Sequence, residues 1–247
     1  MPDAPRYAVR ANVIELLTNR ASAHFNLDAS DKAAIQTIRS RTKALAEGDE
    51  IVRQGDKPDV AVLVLGGMLA RYHTLPSGDR QYLSFHIAGD LPDIQSVFLR
   101  VMDHSVCAID HADVATVPHD QLQRLFRQRP NVAFAFWRLT LVDAAIFRQA
   151  ITNNAARSQV PRLAHFFCEQ YLRAREAKLV QRSSCMLPLS QRQLGQTLGM
   201  SLVSVNRALQ QLRSANLLEF RSGALDIRDW RGLCELADFD ATYLHVA

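Results

Sequence analysis

The chain lacks any apolar run approaching the roughly 20 residues that a membrane-crossing helix requires, so a helical membrane span is excluded. Its opening stretch, MPDAPRYAVR, has no apolar export-signal core, and a cytoplasmic address is the expectation. Only four cysteines occur, Cys107, Cys168, Cys185 and Cys234, and none forms a C-x-x-C pair. Neither a zinc knuckle nor a disulfide framework is indicated, and the four are expected to be free, mostly buried thiols. There is no Gly-x-Ser-x-Gly, no His-Glu-x-x-His and no Gly-rich phosphate loop. A cupin-like, metal-dependent enzyme would need clustered ligands such as a His-x-His pair, and no two histidines are so placed. An enzyme is not expected, and no cofactor or metal is predicted. Internal repeats and low-complexity tracts are absent as well.

At 247 residues, 48% apolar and 22% charged, the sequence has room for two ordinary globular domains. The net charge of +4 is unevenly spread. Residues 156–232 hold twelve Lys/Arg against five Asp/Glu, whereas residues 1–155 hold seventeen of each. A basic segment joined to a neutral one is the electrostatic footprint of a polyanion-binding module.

Helical patterns open the chain at Val9–Leu17 and Asp28–Ile38, the second capped by Asp28 or Ser30. From about Ala44 to Val117 the texture changes to short β-rich runs punctuated by Gly-Asp and Pro turns: Ile51-Val52, Val60–Leu65, Met68–Thr74, Gln81–Ile87, Ser105–Ile109 and Asp113–Val117. Their spacing predicts an antiparallel roll or sandwich. A helix follows Pro118, and a longer one extends from Asn131 to Asn153 without Gly or Pro. In it Val132, Phe136, Leu139, Ile146 and Ala150 keep near-heptad spacing. Trp137, Leu141, Ala144 and Ala145 widen the apolar surface, which suggests two partners, one of them a second copy of the chain. Arg157–Glu176 reads as a further helix with Leu163, Phe166, Phe167 and Leu172 inward.

The most informative stretch runs from Leu189 to Leu212. Ser190 and Gln193 form a Ser-x-x-Gln capping box, with Leu189 and Leu194 placed to staple across it. Gly199 suits a left-handed helix end, and Ser201 caps again with Met200 and Val205 as its staple. Two short capped helices joined by a tight Gly turn predict a helix-turn-helix. At 100° per residue, Leu202, Val205, Ala208, Leu209 and Leu212 share the inward side of the second helix. Val203, Asn206, Arg207 and Gln210 share the other side. That set suits base reading: Arg for guanine, Asn or Gln for adenine, and Val for a thymine methyl. Ser190, Gln191, Arg192, Ser201 and Ser204 are placed for phosphate contact at helix N-termini. Glu219–Arg221 and Ala224–Ile227 around Ser222-Gly223 read as a wing, and Asp229 caps a closing helix through Leu236.

With these residues in view, the chain resembles the Crp/Fnr family of bacterial regulators over nearly its whole length. Gly48-Asp49-Glu50, Gln54-Gly55-Asp56, Gly66-Gly67, Gly78 and Gly89-Asp90 fall where that family turns its β-roll. Val205-Asn206-Arg207 resembles the recognition helix of one branch. The resemblance implies an α+β chain in three parts: a cyclic-nucleotide-binding-like antiparallel β-roll sensor with N-terminal helices (1–129), a dimerisation helix (130–155) and a C-terminal winged helix-turn-helix (156–247). It implies a homodimer on palindromic double-stranded promoter DNA, contact with RNA polymerase, and a small-molecule effector relayed through the long helix.

Several departures bear on the effector. Cyclic-nucleotide-binding members carry Glu after the cassette Gly and later an Arg that neutralises the cyclic phosphate. Here Gly89-Asp90 and Met102-Asp103-His104-Ser105 stand instead, with Phe147 and Arg148 aligned where hydroxyls would meet the base. Asp90, Asp103, His104, Ser105, Phe147 and Arg148 are thus the candidate effector residues. Cyclic AMP is not expected, since an Asp would repel the phosphate, although Arg100 or Arg148 offers charge from elsewhere. No cysteine precedes Cys107, so the N-terminal iron–sulfur site of Fnr-type oxygen sensors is not expected. His73, His86, His104 and Cys107 are scattered and read as ordinary polar or core residues rather than haem or metal ligands. The family commonly has Glu at Val203 and, in some branches, Arg at Leu202, so the target sequence is not transferable. A regulator without an effector, governed by its own abundance, is the alternative.

Overall fold

The computed structural model describes residues 12–245; the part of the first expected helix before Asn12 lies outside them. Helix α1 (Val13–His24) starts where the Asn12 side chain accepts the Ile14 N–H, and it continues well past Leu17. Asp28 and Asp31 form a reciprocal capping box that starts α2 (Ala29–Ile35). This helix stops short of the expected Ile38, because the Thr37 and Ile38 amides tighten to three-residue bonds on Ala34 and Ile35.

Strands β1 (Arg41–Leu45), β2 (Glu50–Val52), β3 (Val60–Gly66), β4 (Leu69–Thr74), β5 (Arg80–His86), β6 (Ser105–Ala108) and β7 (Ala112–Pro118) form two sheets, ordered β1-β7-β3 and β2-β6-β4-β5. The β1–β7, β3–β7, β2–β6 and β4–β6 pairs are antiparallel. Strand β3 is apolar throughout because both of its faces are covered. Val62 and Val64 join Leu45, Val52, Leu69 and Val106 in one core, while Ala61 and Leu63 join the helical residues Leu17, Ile35, Leu122 and Phe136 in another. Each Val, Leu, Ile or Phe among them, fully buried, contributes about 1.5–3 kcal/mol.

Helix α3 (His119–Gln128) follows Pro118 and buries Leu122, Leu125 and Phe126. Helix α4 (Pro130–Ala156) has 27 residues and is about 40 Å long. Val132, Ala135 and Phe136 are buried on it, whereas Phe134, Trp137, Leu141 and Ile151 stay 48–71% exposed. Two members of the expected heptad stripe, Val132 and Phe136, are therefore consumed by the chain's own core. The bare stripe is carried by the neighbouring set.

The chain divides into two compact units, one comprising the described residues up to His73 with Ser84–Leu141, the other Thr74–Leu83 with the residues from Val142 onward. The second unit holds α5 (Gln159–Glu176), β8 (Ser184–Met186), α6 (Gln191–Leu198), α7 (Leu202–Ser214), β9 (Leu218–Arg221), β10 (Ala224–Ile227) and α8 (Trp230–Ala237). Its sheet is ordered β8-β10-β9. Leu163, Phe166, Phe167 and Leu172 are buried on α5, and Asp229 caps α8 by accepting the Gly232 N–H at 3.0 Å. Cys107, Cys168 and Cys185 are buried free thiols; Cys234 is half-buried. Among the described residues no helix is long and apolar enough to cross a membrane.

Candidate nucleic-acid interface

The two helices of the interface begin where their caps dictate. Ser190 Oγ accepts the Gln193 N–H at 3.2 Å and Gln193 Oε1 accepts the Ser190 N–H at 2.8 Å, closing the capping box of α6. Gly199 ends α6 at φ 63°, a left-handed conformation that costs glycine nothing in sterics. Gly195 has a different role: a Cβ there would lie 2.6 Å from the Met200 carbonyl oxygen, so the absence of a side chain lets the turn close over α6. Ser201 Oγ accepts the Ser204 N–H at 3.1 Å and starts α7. The last carbonyls of α6, left without helical partners, are met by side chains from elsewhere in this unit: Asn154 Nδ2 donates to Thr197 O at 3.1 Å and Arg162 Nη1 to Leu198 O at 3.0 Å.

This framework fixes which way α7 faces. Val205, Ala208, Leu209 and Leu212 are buried, while Val203, Asn206, Arg207 and Gln210 all lie exposed on one stripe. One assignment is corrected. Leu202, expected on the core side, is 57% exposed, because it occupies the first helical position, beyond the packed turns. With Val203, at 67%, it makes an apolar tip at the helix N-terminus. The side chains of Asn206 and Arg207 make no hydrogen bond or ion pair with the described residues, so their polar ends face water.

Of the residues placed at helix N-termini, Ser190, Arg192 and Ser201 are exposed, and Gln191 and Ser204 are half-buried. Ser190 and Ser201 spend one acceptor each on capping, and the Ser201 hydroxyl also donates to Ser204 Oγ at 2.9 Å. Arg192 Nη2 lies 3.2 Å from Asp79 Oδ1, an exposed pair worth at most about 1 kcal/mol. Beside α7 stands the hairpin β9–β10, whose turn residues Ser222 and Gly223 both have positive φ, the geometry of a tight two-residue hairpin. Arg221 and Arg213 add exposed charge.

Part of the basic surplus is structural. Arg157 donates to Ala237 O at 3.0 Å and Asp238 O at 2.9 Å, Arg162 donates to Arg157 O and Leu198 O, and Arg228 pairs with Glu219 and Asp226. The charge facing solvent is therefore smaller than the sequence count implies.

The candidate effector residues divide between the two units. Asp90 is buried, accepting Arg20 Nη2 at 2.7 Å and the Ile87 N–H at 3.0 Å, which makes it a fastener of its own turn. Asp103 faces solvent and pairs with His104 Nδ1 at 2.8 Å; Ser105 Oγ accepts the Gln54 N–H at 3.0 Å. Phe147 and Arg148 lie on the part of α4 that belongs to the other unit, Arg148 exposed and Phe147 half-buried.

Two polar residues missed by the sequence reasoning occupy the β-roll interior. Arg71, 3% exposed, donates Nε to Pro92 O at 2.6 Å, and Asp93 is fully buried. Asp93 Oδ1 accepts the Val62 N–H at 2.7 Å, while Oδ2 has no partner. Burial raises the Asp93 carboxyl to about 7 against the pull of the Val62 amide and Arg71. His104 is pushed below its ordinary value, first by burial and then by the Arg71 charge. The available signal was the alternation of β4, which sets Arg71 on the same face as Leu69. Among the described residues, no three His, Cys, Asp or Glu groups come together as a metal would require.

Comparison with known proteins agrees with this geometry. Residues 42–129 match the cyclic nucleotide-binding domain family and residues 161–236 the Crp-like helix-turn-helix domain family. The transcriptional activator protein FnrA of Stutzerimonas stutzeri is 24% identical over 212 residues, 86% of each chain. The fumarate and nitrate reduction regulatory protein of Yersinia pestis is 22% identical over 220 residues, 86% of this chain and 85% of its own. The structure of FixK2 from Bradyrhizobium japonicum superposes with a TM-score of 0.74 at 23% identity, over 83% of this chain and all of that one.

Proposed function

The chain is a DNA-binding transcription regulator of the Crp/Fnr type, and from that premise we propose that it acts as a homodimer on a two-fold symmetric promoter site, reading bases with Val203, Asn206, Arg207 and Gln210. The observation that carries this is the bare polar stripe on α7, held outward by the burial of Val205, Ala208, Leu209 and Leu212. A major groove admits a helix presenting such a stripe, and Arg and Asn make the bidentate contacts that tell guanine and adenine apart. Ser190, Gln191, Arg192, Ser201 and Ser204 set the helices on phosphates, where backbone amides and charge fix register without reading sequence. The exposed Asn206-Arg207 pair, with Val205 serving the core, supports a likeness to the branch whose recognition helix carries Val-Asn-Arg. The partner copy covers Phe134, Trp137, Leu141 and Ile151, whose exposure on one long helix supports a seam. Domain limits at 129 and 155, a cytoplasmic address, contact with RNA polymerase and the absence of a catalytic role complete the proposal.

For the effector, the interior of the β-roll argues against a phosphate. Arg71 is the cation there, and it is already hydrogen-bonded to Pro92 and attracted by Asp93. Cyclic AMP is therefore not the proposed ligand. The same observation favours the second reading, a regulator that needs no small molecule and is governed by its abundance.

Selection from a random duplex library with the purified protein tests the first reading. The expected product is a palindrome with half-site centres about 34–36 Å apart, relaxed at one base position per half-site by Arg207→Ala. Enrichment of a single asymmetric half-site would overturn the dimer, and no enrichment would overturn base reading. A thermal-shift panel of nucleotides, haem and metabolites separates the two effector readings, since a ligand at 100 times its Kd adds about 2.7 kcal/mol of stability.

A further inference from the structure

A cavity of about 720 Å³ opens between α2 and α3, and its lining shares no residue with the core between the two sheets. Its lining includes Arg39, Arg124 and Arg129 and no acidic residue. Ile38 and Leu125, both under 10% exposed, supply an apolar floor. The volume lies within the range of about 300–1,000 Å³ typical of small-molecule sites.

The three guanidinium groups are in different states of engagement. Arg39 is held by its backbone: Gln121 Oε1 accepts its N–H at 2.8 Å, and Gln121 Nε2 donates to its carbonyl at 3.4 Å. Its guanidinium makes no hydrogen bond or ion pair with the described residues. Arg129 Nη1 donates to Ser30 Oγ at 2.8 Å, and that hydroxyl donates in turn to Asp28 Oδ1 at 2.8 Å, so the exposed Asp28 carboxylate offsets part of the Arg129 charge without a direct ion pair. Arg124 pairs with Asp120 at 2.9 Å, and both side chains are more than half exposed, so that pair yields readily to a competing anion. Guanidinium groups match carboxylate and phosphate oxygens in paired, charge-assisted bonds.

We propose that this groove is a binding site for a small organic anion, a phosphate or carboxylate head gripped by Arg39 and Arg129 with an apolar body lying on Ile38 and Leu125. It is separate from the β-roll interior and independent of the DNA-binding proposal.

Isothermal titration of the full chain with 1-naphthyl phosphate tests it, with inorganic phosphate and 1-naphthol as head-only and body-only probes. The expected result is a sub-millimolar Kd for the naphthyl phosphate and binding weaker by about tenfold or more for either part alone. The Arg39→Gln/Arg129→Gln double variant, whose melting temperature is measured alongside, weakens the ester by about tenfold or more, the equivalent of about 1.4 kcal/mol or more. Methyl resonances of Ile38 and Leu125 in the parent chain shift on titration. No heat up to about 5 mM ester, unmoved Ile38 and Leu125 methyls, or equal affinity in the double variant each overturns the site. A mobility shift with duplex DNA on the same sample reports the regulator function separately.

Discussion

The β-roll unit hides its polar chemistry, whereas the winged-helix segment displays it. Arg71, Asp93 and His104 are all 5% exposed or less, and the protonation of Asp93 and His104 is governed first by desolvation, with the Arg71 charge also acting on both. Val203, Asn206, Arg207 and Gln210 all face solvent, and nothing in the unit engages Asn206 or Arg207. A buried polar group acts on stability first, and a displayed one acts on binding first. Substitutions in the first place should therefore move stability, and substitutions in the second should move DNA affinity.

The largest effect is expected inside the roll. Asp93 titrates near 7 in the folded chain and near 3.8 when unfolded, so the folded state holds its proton between those values. Its contribution falls as pH rises from about 4 to about 7 and is level above that. Asp93→Asn keeps an acceptor for the Val62 N–H and has no proton to lose. It should match the parent in denaturant melts at pH 4 and exceed it at pH 8 by a few kcal/mol, on the order of 2–4. Parallel curves for the two chains across this range would break the desolvation account.

His165 tests the division from the other side, because it is a buried titratable group of the winged-helix unit. Burial, with help from the Arg157 charge, lowers it from 6.5 to about 4. Here the unfolded state binds the proton more tightly, so stability is lost as pH falls from 6.5 towards 4. His165→Gln should remove that part of the acid loss, a sign opposite to that of Asp93→Asn. Its DNA affinity at pH 8 should be unchanged, and a change there would blur the boundary between interior and display. Glu169 is also buried and accepts the Tyr243 hydroxyl at 2.7 Å; its carboxyl is raised by burial. The comparison is thus made between parent and variant at each pH.

On the displayed face, Arg207→Ala should weaken specific binding by roughly 1–3 kcal/mol and relax one base position per half-site. Thermal stability should be unchanged. An equal loss on specific and random duplexes, measured by fluorescence anisotropy, would remove Arg207 from base reading. The smallest effect belongs to Arg192→Ala. It should weaken all sequences alike and lower the slope of log affinity against log salt by about one. A loss restricted to the selected site would move Arg192 among the base readers.

Legibility from sequence follows the same division. The helix starts at Ser190 and Ser201 and the cap at Asp229 are local chemistry, decided within three or four residues, and the sequence places them where the structure has them. Strand β1 escapes notice because four of its five residues are exposed and the backbone ladder to β7 alone makes it a strand. Strand β8 is three residues long and exists by pairing with β10. Leu202 obeys the helical wheel yet lies beyond anything it could pack on. The Arg71 charge acts on Asp93 across the fold, and no short window of sequence contains both residues. The candidate effector residues stand at positions of a family motif that this chain does not keep, and Asp90 is occupied with holding its own turn.

The central claim is that the Asn206–Arg207 face of α7 enters the major groove of a symmetric site. Methylation interference on the selected duplex tests it most directly, because the N7 methyl group on guanine projects into the major groove where an arginine would bind. The account predicts that methylation at symmetry-related guanines in both half-sites blocks the parent protein, and that Arg207→Ala loses this sensitivity at one guanine per half-site. Binding indifferent to guanine methylation in both proteins, on a site with guanine in each half, would contradict it.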